Sequence, residues 1–176
     1  MVDEKAKDSH LTPLESLDVA AQRLSIVRYV FLVQIEDGIS SASARSSLEY
    51  ADAVLMGWPE GDDNDVIMPP DDSSMQEVYT TMRLMEDNIA SFSEFERSGD
   101  IDRMSDMLVE ITNNVAKIRG IFQPNFPLPT FAEIQRVVTD EWNEEMGNID
   151  PDSANDASEV KNETRLEEKE DESHES

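Results

Sequence analysis

The stretch MQEVYTTMRLMEDNIASFSEFERSGDIDRMSDMLVEITNNVAKIRGIF, residues 75–122, decides the fold class. Met75, Val78, Met82, Met85, Ile89 and Phe92 recur at alternating intervals of three and four. Ile101, Met104, Leu108, Ile111, Val115, Ile118 and Phe122 do the same. Such spacing keeps the apolar side chains on one face of a helix that turns once in 3.6 residues. Between the two seams, Ser98-Gly99-Asp100 supplies a glycine to end one helix and a carboxylate to begin the next. The stretch predicts an antiparallel helical hairpin whose seams face each other and a further helix.

Working outward, Thr12-Pro13-Leu14-Glu15 places a hydroxyl at the N-cap, a proline at the first helical position and a carboxylate three residues after the cap. Together these satisfy the backbone N–H groups that a helix start leaves unpaired. Ser74-Met75-Gln76-Glu77 and Thr130-Phe131-Ala132-Glu133 repeat the pattern, each directly before an apolar stripe. A first helix is expected from Pro13 to about Glu36, with Leu17, Ala21, Leu24, Phe31 and Ile35 as its stripe and Arg28 in the missing place. Ile26, Val27, Val30 and Leu32 widen that face, so this helix is expected to be the most buried. A second covers about Ser41 to Met56 on Ala44, Leu48, Ala51 and Leu55 and is closed by Gly57. The last, about Phe131 to Met146, uses Phe131, Ile134, Val138 and Trp142. Gly57 to Ser73 is a loop by composition, and no segment alternates with period two for long enough to demand a sheet.

The expected organisation is therefore all-α: a disordered N-terminus (1–11), a four- to five-helix bundle (12–147) built around the hairpin, and a disordered acidic tail (148–176). Of the formal net charge of -26, -8 falls in the tail and -18 in residues 1–147. The tail has too few apolar residues to offset the entropy of ordering it.

With no Cys, disulfides, thiolate nucleophiles and cysteine-based zinc sites are excluded. His10 and His174 lie near opposite ends, away from any predicted pocket, which disfavours imidazole chemistry. The longest apolar run, Tyr29 to Val33, is far short of a membrane span, and Met1-Val2-Asp3-Glu4-Lys5 does not read as the start of a signal peptide. An intracellular protein, cytoplasmic or nuclear, is expected.

Three candidate chemistries remain. Asp62-Asp63-Asn64-Asp65 has the oxygen donors of a calcium loop, but neither the glycine at the sixth position nor the carboxylate at the twelfth falls in place, so it reads as a solvated loop. Glu86 and Asp87 on one arm of the hairpin, with Asp106 and Glu110 on the other, are candidates to share a Mg²⁺ ion. Over Thr81 to Ile111 this arrangement resembles the all-α nucleotide pyrophosphohydrolases, whose paired helices carry an E-E-x-x-E motif and a later E-x-x-D motif. Here Asp87 replaces the second Glu, Ala90 stands where the third carboxylate belongs, and Met107 and Glu110 replace the final pair. The activity that the resemblance implies is not carried over, and acidic residues on exposed helix faces need no metal to explain them. Third, Met75, Met82, Met85, Met104 and Met107 are flexible side chains suited to gripping varied helices. All but Met107 share stripes with aliphatic residues, so the core is the simpler destination for them; Met107 is the candidate for an outside contact.

A chain of this charge is repelled by phosphate backbones, and Arg23, Arg28, Lys117 and Arg119 are too few and too separated to make a basic patch. The acidity fits a basic partner, mimicry of DNA toward a DNA-binding protein, adaptation to high salt, or solubility alone. In the tail, Asn162-Glu163-Thr164 is a glycosylation sequon without meaning unless the chain is secreted, and Ser153, Ser158 and Ser173 have acidic neighbours that suit phosphorylation.

No catalytic, cofactor-binding or metal-binding residue is assigned. The expected function is a non-enzymatic helical interaction subunit, an adaptor or assembly factor. Its partner is a protein that is basic or presents an amphipathic helix, with no direct nucleic acid and no membrane, and self-association through the hairpin is possible. An acidic DNA-mimic inhibitor is the alternative, and a degenerate pyrophosphohydrolase-like protein comes third.

Overall fold

The computed structural model describes residues 11–35, 41–58 and 71–147. Among them are five α-helices and no strand: α1 (Pro13–Gln34), α2 (Ala42–Leu55), α3 (Asp72–Ser98), α4 (Ile101–Phe122) and α5 (Phe131–Gly147). Residues up to Val138 belong to one compact unit, and the remainder of α5, from Thr139, belongs to a second. None of these helices is long and apolar enough to cross a membrane. Of the expected termini, residues 1–10 and 148–176 lie outside the described residues, as do the acidic loop Asp62–Asp65 and both histidines; Leu11 is described, and its carbonyl accepts from the Tyr79 hydroxyl at 3.1 Å.

The hairpin forms as its spacing predicts. Val78, Met82, Met85 and Phe92 of α3 are buried against Met104, Leu108, Ile111, Val115, Ile118 and Phe122 of α4. Its turn is a Schellman motif: Gly99 N–H donates to the Glu96 carbonyl at 3.1 Å and Asp100 N–H to the Phe95 carbonyl at 3.0 Å. Gly99 takes φ +69°, which a residue with a Cβ adopts only with strain. The next residue, Asp100, accepts from Arg103 N–H and starts α4.

Two of the three capping boxes close. Thr12 N–H donates to Glu15 Oε2 at 2.7 Å while Glu15 N–H donates to Thr12 Oγ1 at 3.2 Å, and Thr130 with Glu133 does the same at 2.8 and 3.3 Å. The third does not form. α3 begins earlier, capped by Asp71, whose carboxylate accepts from Ser74 N–H at 2.8 Å. A carboxylate is the stronger acceptor at the positive end of a helix, and Glu77 is left to pair with Lys117 at 3.0 Å.

Burial corrects the expectations for α1 and α2. α4, not α1, buries the most residues: each packs on the other and on α2 and α3, but α4 meets α2 and α3 far more extensively than α1 does. On α1 the residues that reach the core are Leu17, Ala20, Leu24, Val27 and Phe31, spaced 3, 4, 3, 4. Ala21 is only partly buried, and Ile26 and Leu32, which were to widen the buried face, are exposed. On α2 the last core residue is Val54 rather than Leu55. Small residues let α2 approach α4 closely: Ala44, Ser47 and Ala51 are buried, and Ser105 Oγ of α4 donates to Ser47 Oγ at 2.9 Å. Within the first unit, α5 contributes Phe131 and Ile134, which pack on the core, and the fully buried Val138.

Candidate functional site

The hairpin carboxylates are not brought together. Glu86 lies 2.8 Å from Arg23 Nη1, which turns it toward α1. Glu110 faces Tyr50 of α2, where burial first and then the Glu110 charge raise the phenol pKa; the Tyr50 hydroxyl donates to Asn113 Oδ1 at 2.8 Å. Among the described residues no three side chains of metal-ligating type are grouped to hold an ion.

The methionines go to the core. Met82, Met85 and Met104 are buried, Met75 is partly buried, and Met107, the candidate for a contact outside the hairpin pair, is a partly buried side chain packed on the core.

The four cations singled out in the sequence are all engaged. Arg23 is paired with Glu86, Arg28 Nη2 with Asp52 at 3.0 Å, and Lys117 with Glu77. Arg119 is not on the surface at all: it is the largest fully buried side chain among the described residues. Among the described residues no carboxylate answers it. Its Nε donates to Gln123 Oε1 at 2.8 Å, Nη1 to the Val54 and Met56 carbonyls at 2.7 Å each, and Nη2 to the Gly57 carbonyl at 2.7 Å. The guanidinium lies 3.9 Å from the Phe126 ring centroid and 5.3 Å from that of Trp58. Backbone carbonyls at the negative end of α2 and two aromatic faces thus replace a counter-ion. Desolvation lowers the Arg119 pKa from its ordinary value.

This arrangement fixes the chain where α2 ends. Gly57 turns at φ +59°, and a Cβ there would meet the Phe126 ring at 3.5 Å. Trp58 N–H then donates to the Leu55 carbonyl at 3.2 Å, setting the indole beside Leu55. Leu55 and Trp58 form one wall of an open groove of about 470 Å³, and Ala21, Gln22, Ser25 and Ile26 of α1 form the other. The groove is a surface furrow rather than an enclosed cavity, which suits a protruding side chain better than a sequestered small molecule.

The groove continues into an exposed apolar strip. Ile26 is 62% and Tyr29 64% exposed, and Val33, one turn on, 40%; Leu32 beside them is 39% exposed. At about 100° per residue Ile26, Tyr29 and Val33 lie on the side of α1 away from Leu24 and Phe31, and Leu32 lies on the flank between. At the other end of the groove Asp18 is exposed and makes no ion pair among the described residues, and Glu15 lies one turn before it. Exposed carboxylates otherwise occur on every helix, for example Asp52, Asp87, Asp106 and Asp140.

Sequence reasoning assigned Ile26 and Leu32 to the core because α1 is apolar on two sides. The available signal was the competing 3-4-3-4 run through Ala20 and Val27, which leaves Ile26, Tyr29 and Val33 as a second, opposite stripe. For Arg119 the available signal was its place four residues after Val115 and three before Phe122, on the face of the α4 seam. No family model matches the chain, and no curated protein or solved structure matches it.

Proposed function

We propose that the chain is a non-enzymatic helical interaction subunit, an adaptor or assembly factor, that packs against a partner protein through the outer face of α1. The observation that supports this reading is the exposed strip Ile26, Tyr29 and Val33 running into the groove at Leu55 and Trp58. Single exposed apolar residues are ordinary, whereas a contiguous strip marks an interaction surface. Leu24 and Phe31 already seal the inner face of the same helix, so Ile26, Tyr29 and Val33 add nothing to the core.

The test is affinity capture from extract of the native cell with the full chain and with Tyr29→Asp and Ile26→Asp. The expected result is one stoichiometric protein, retained by the unaltered chain and lost with both substitutions, while circular dichroism stays helical. Capture that ignores both substitutions refutes the reading.

A further inference from the structure

We infer that the groove between α1 and the end of α2 takes a basic amphipathic helix of the partner, laid along α1 with one apolar side chain seated between Ile26, Leu55 and Trp58. The inference rests on the reading of α1 as the docking face and specifies what docks there.

Shape and length are the first argument. From Ala21 to Val33 the exposed part of α1 spans about 18 Å at the helical rise of 1.5 Å per residue, about three turns of a second helix. A helix of that length presents apolar anchors at i, i+3 or i+4, and i+7, enough to fill the groove and then cover Tyr29 and Val33. On the α1 side the furrow is lined by the small residues Ala21 and Ser25, which let a neighbour come close, and its far wall is held by the buried Arg119 acting on the chain from Val54 to Gly57. A wall fixed in this way needs no rearrangement to receive its ligand.

Charge is the second argument and selects the occupant. The rim carries Asp18 and Glu15 at one end, while the nearby cations Arg23 and Arg28 are both held by carboxylates, Glu86 and Asp52. The chain as a whole stands at -26. A second copy would bring the same charge and the same acidic rim and be repelled; an acidic helix would meet the same penalty. A helix with Lys or Arg flanking its apolar face is attracted at long range and then held by the groove.

The experiment uses the full chain carrying Trp142→Phe, so that Trp58 is the only tryptophan. The probe is a synthetic peptide of about 18 residues, five helical turns, with Leu at i, i+3, i+4 and i+7 positions and Lys elsewhere. Its controls are a scrambled peptide and one with Glu in place of Lys. Expected are a shift of Trp58 emission and amide NMR shifts concentrated at Gln22, Ser25, Ile26 and Leu55. Ser25→Arg, which fills the furrow with a like charge at an exposed position, should weaken binding by about 10-fold or more, the scale of a lost anchor.

Equal binding of the Glu peptide overturns the inference, as does binding that leaves Trp58 silent or is indifferent to Ser25→Arg. Binding that appears only after Val66, Ile67 and Met68 are changed to Ser overturns it too, because the chain then fills its own groove. A dimer in sedimentation that Ile26→Asp dissociates also overturns it. If the captured partner is lost with Tyr29→Asp yet the Lys peptide does not bind at the groove, this inference fails while the docking role of α1 stands. If capture ignores Tyr29→Asp, the docking role itself fails.

Discussion

Arg119 shows what a single residue settles in this fold. It spends four hydrogen bonds on Gln123 and on the carbonyls of Val54, Met56 and Gly57, and its plane lies close to Phe126. Removing it strands the buried Val54 carbonyl and Gln123 side-chain oxygen, each worth about 1–3 kcal/mol when unsatisfied, and frees the part-buried Met56 and Gly57 carbonyls, so Arg119→Ala should destabilise the protein by about 2–5 kcal/mol in urea unfolding. Arg119→Lys should recover little, since a point charge on a flexible stem cannot reproduce the planar fork. The contrast is Arg23→Ala, which breaks an exposed pair and should change stability by no more than about 1 kcal/mol. Gly57 and Gly99 form a second pair of tests, both at positive φ. Replacing either by Ala should cost about 1–2 kcal/mol from the backbone alone. Gly99 is the cleaner case, because nothing lies within 4 Å of its added Cβ.

At the scale of the element, α4 is the axis on which α1, α2 and α3 assemble. Leu108 is fully buried there, and Leu108→Ala should cost about 2–5 kcal/mol, with the spread set by how far the neighbours close the cavity. Ile26→Ala on the outer face of α1 should stay within about 0.5 kcal/mol, because only exposed surface is lost. The helix starts carry a pH dependence. Hydrogen bonds from Ser74 hold the Asp71 carboxyl below its ordinary pKa, and those from Thr130 do the same for Glu133. A folded-state pKa lowered in this way contributes stability that is present above the unfolded value and lost as pH falls through the folded one. The first turns of α3 and α5 should therefore fray below the ordinary carboxylate range, seen as lost amide protection at Ser74 and Thr130, while Asp71→Asn, an uncharged cap, should remove that dependence at Ser74. Element starts were legible in the sequence to within a turn, as Ser74 against Asp71 illustrates, because several acceptors near one helix end compete for the same N–H groups.

For the whole molecule, the net charge of -26 means that self-repulsion opposes compaction. Described surface ion pairs such as Lys117 with Glu77 and Arg103 with Asp100 are exposed and worth little. Raising salt from about 0.01 M to 0.15 M shortens the screening length from about 30 to 8 Å, and the urea midpoint should rise; a midpoint that falls would show that attractive pairs dominate instead. The sequence by itself determined the helical class, the hairpin over residues 75–122, its Gly99-Asp100 turn and the capping boxes at Thr12 and Thr130, because each rests on contacts within a few residues along the chain. It did not determine which stripe of α1 faces inward, that α4 rather than α1 is central, that Arg119 is buried, or that Glu86 and Glu110 face different helices. Those outcomes depend on residues as far apart as Arg119 and Val54. Only the tertiary packing brings such residues together, and the outer face left on α1 is what that packing did not use.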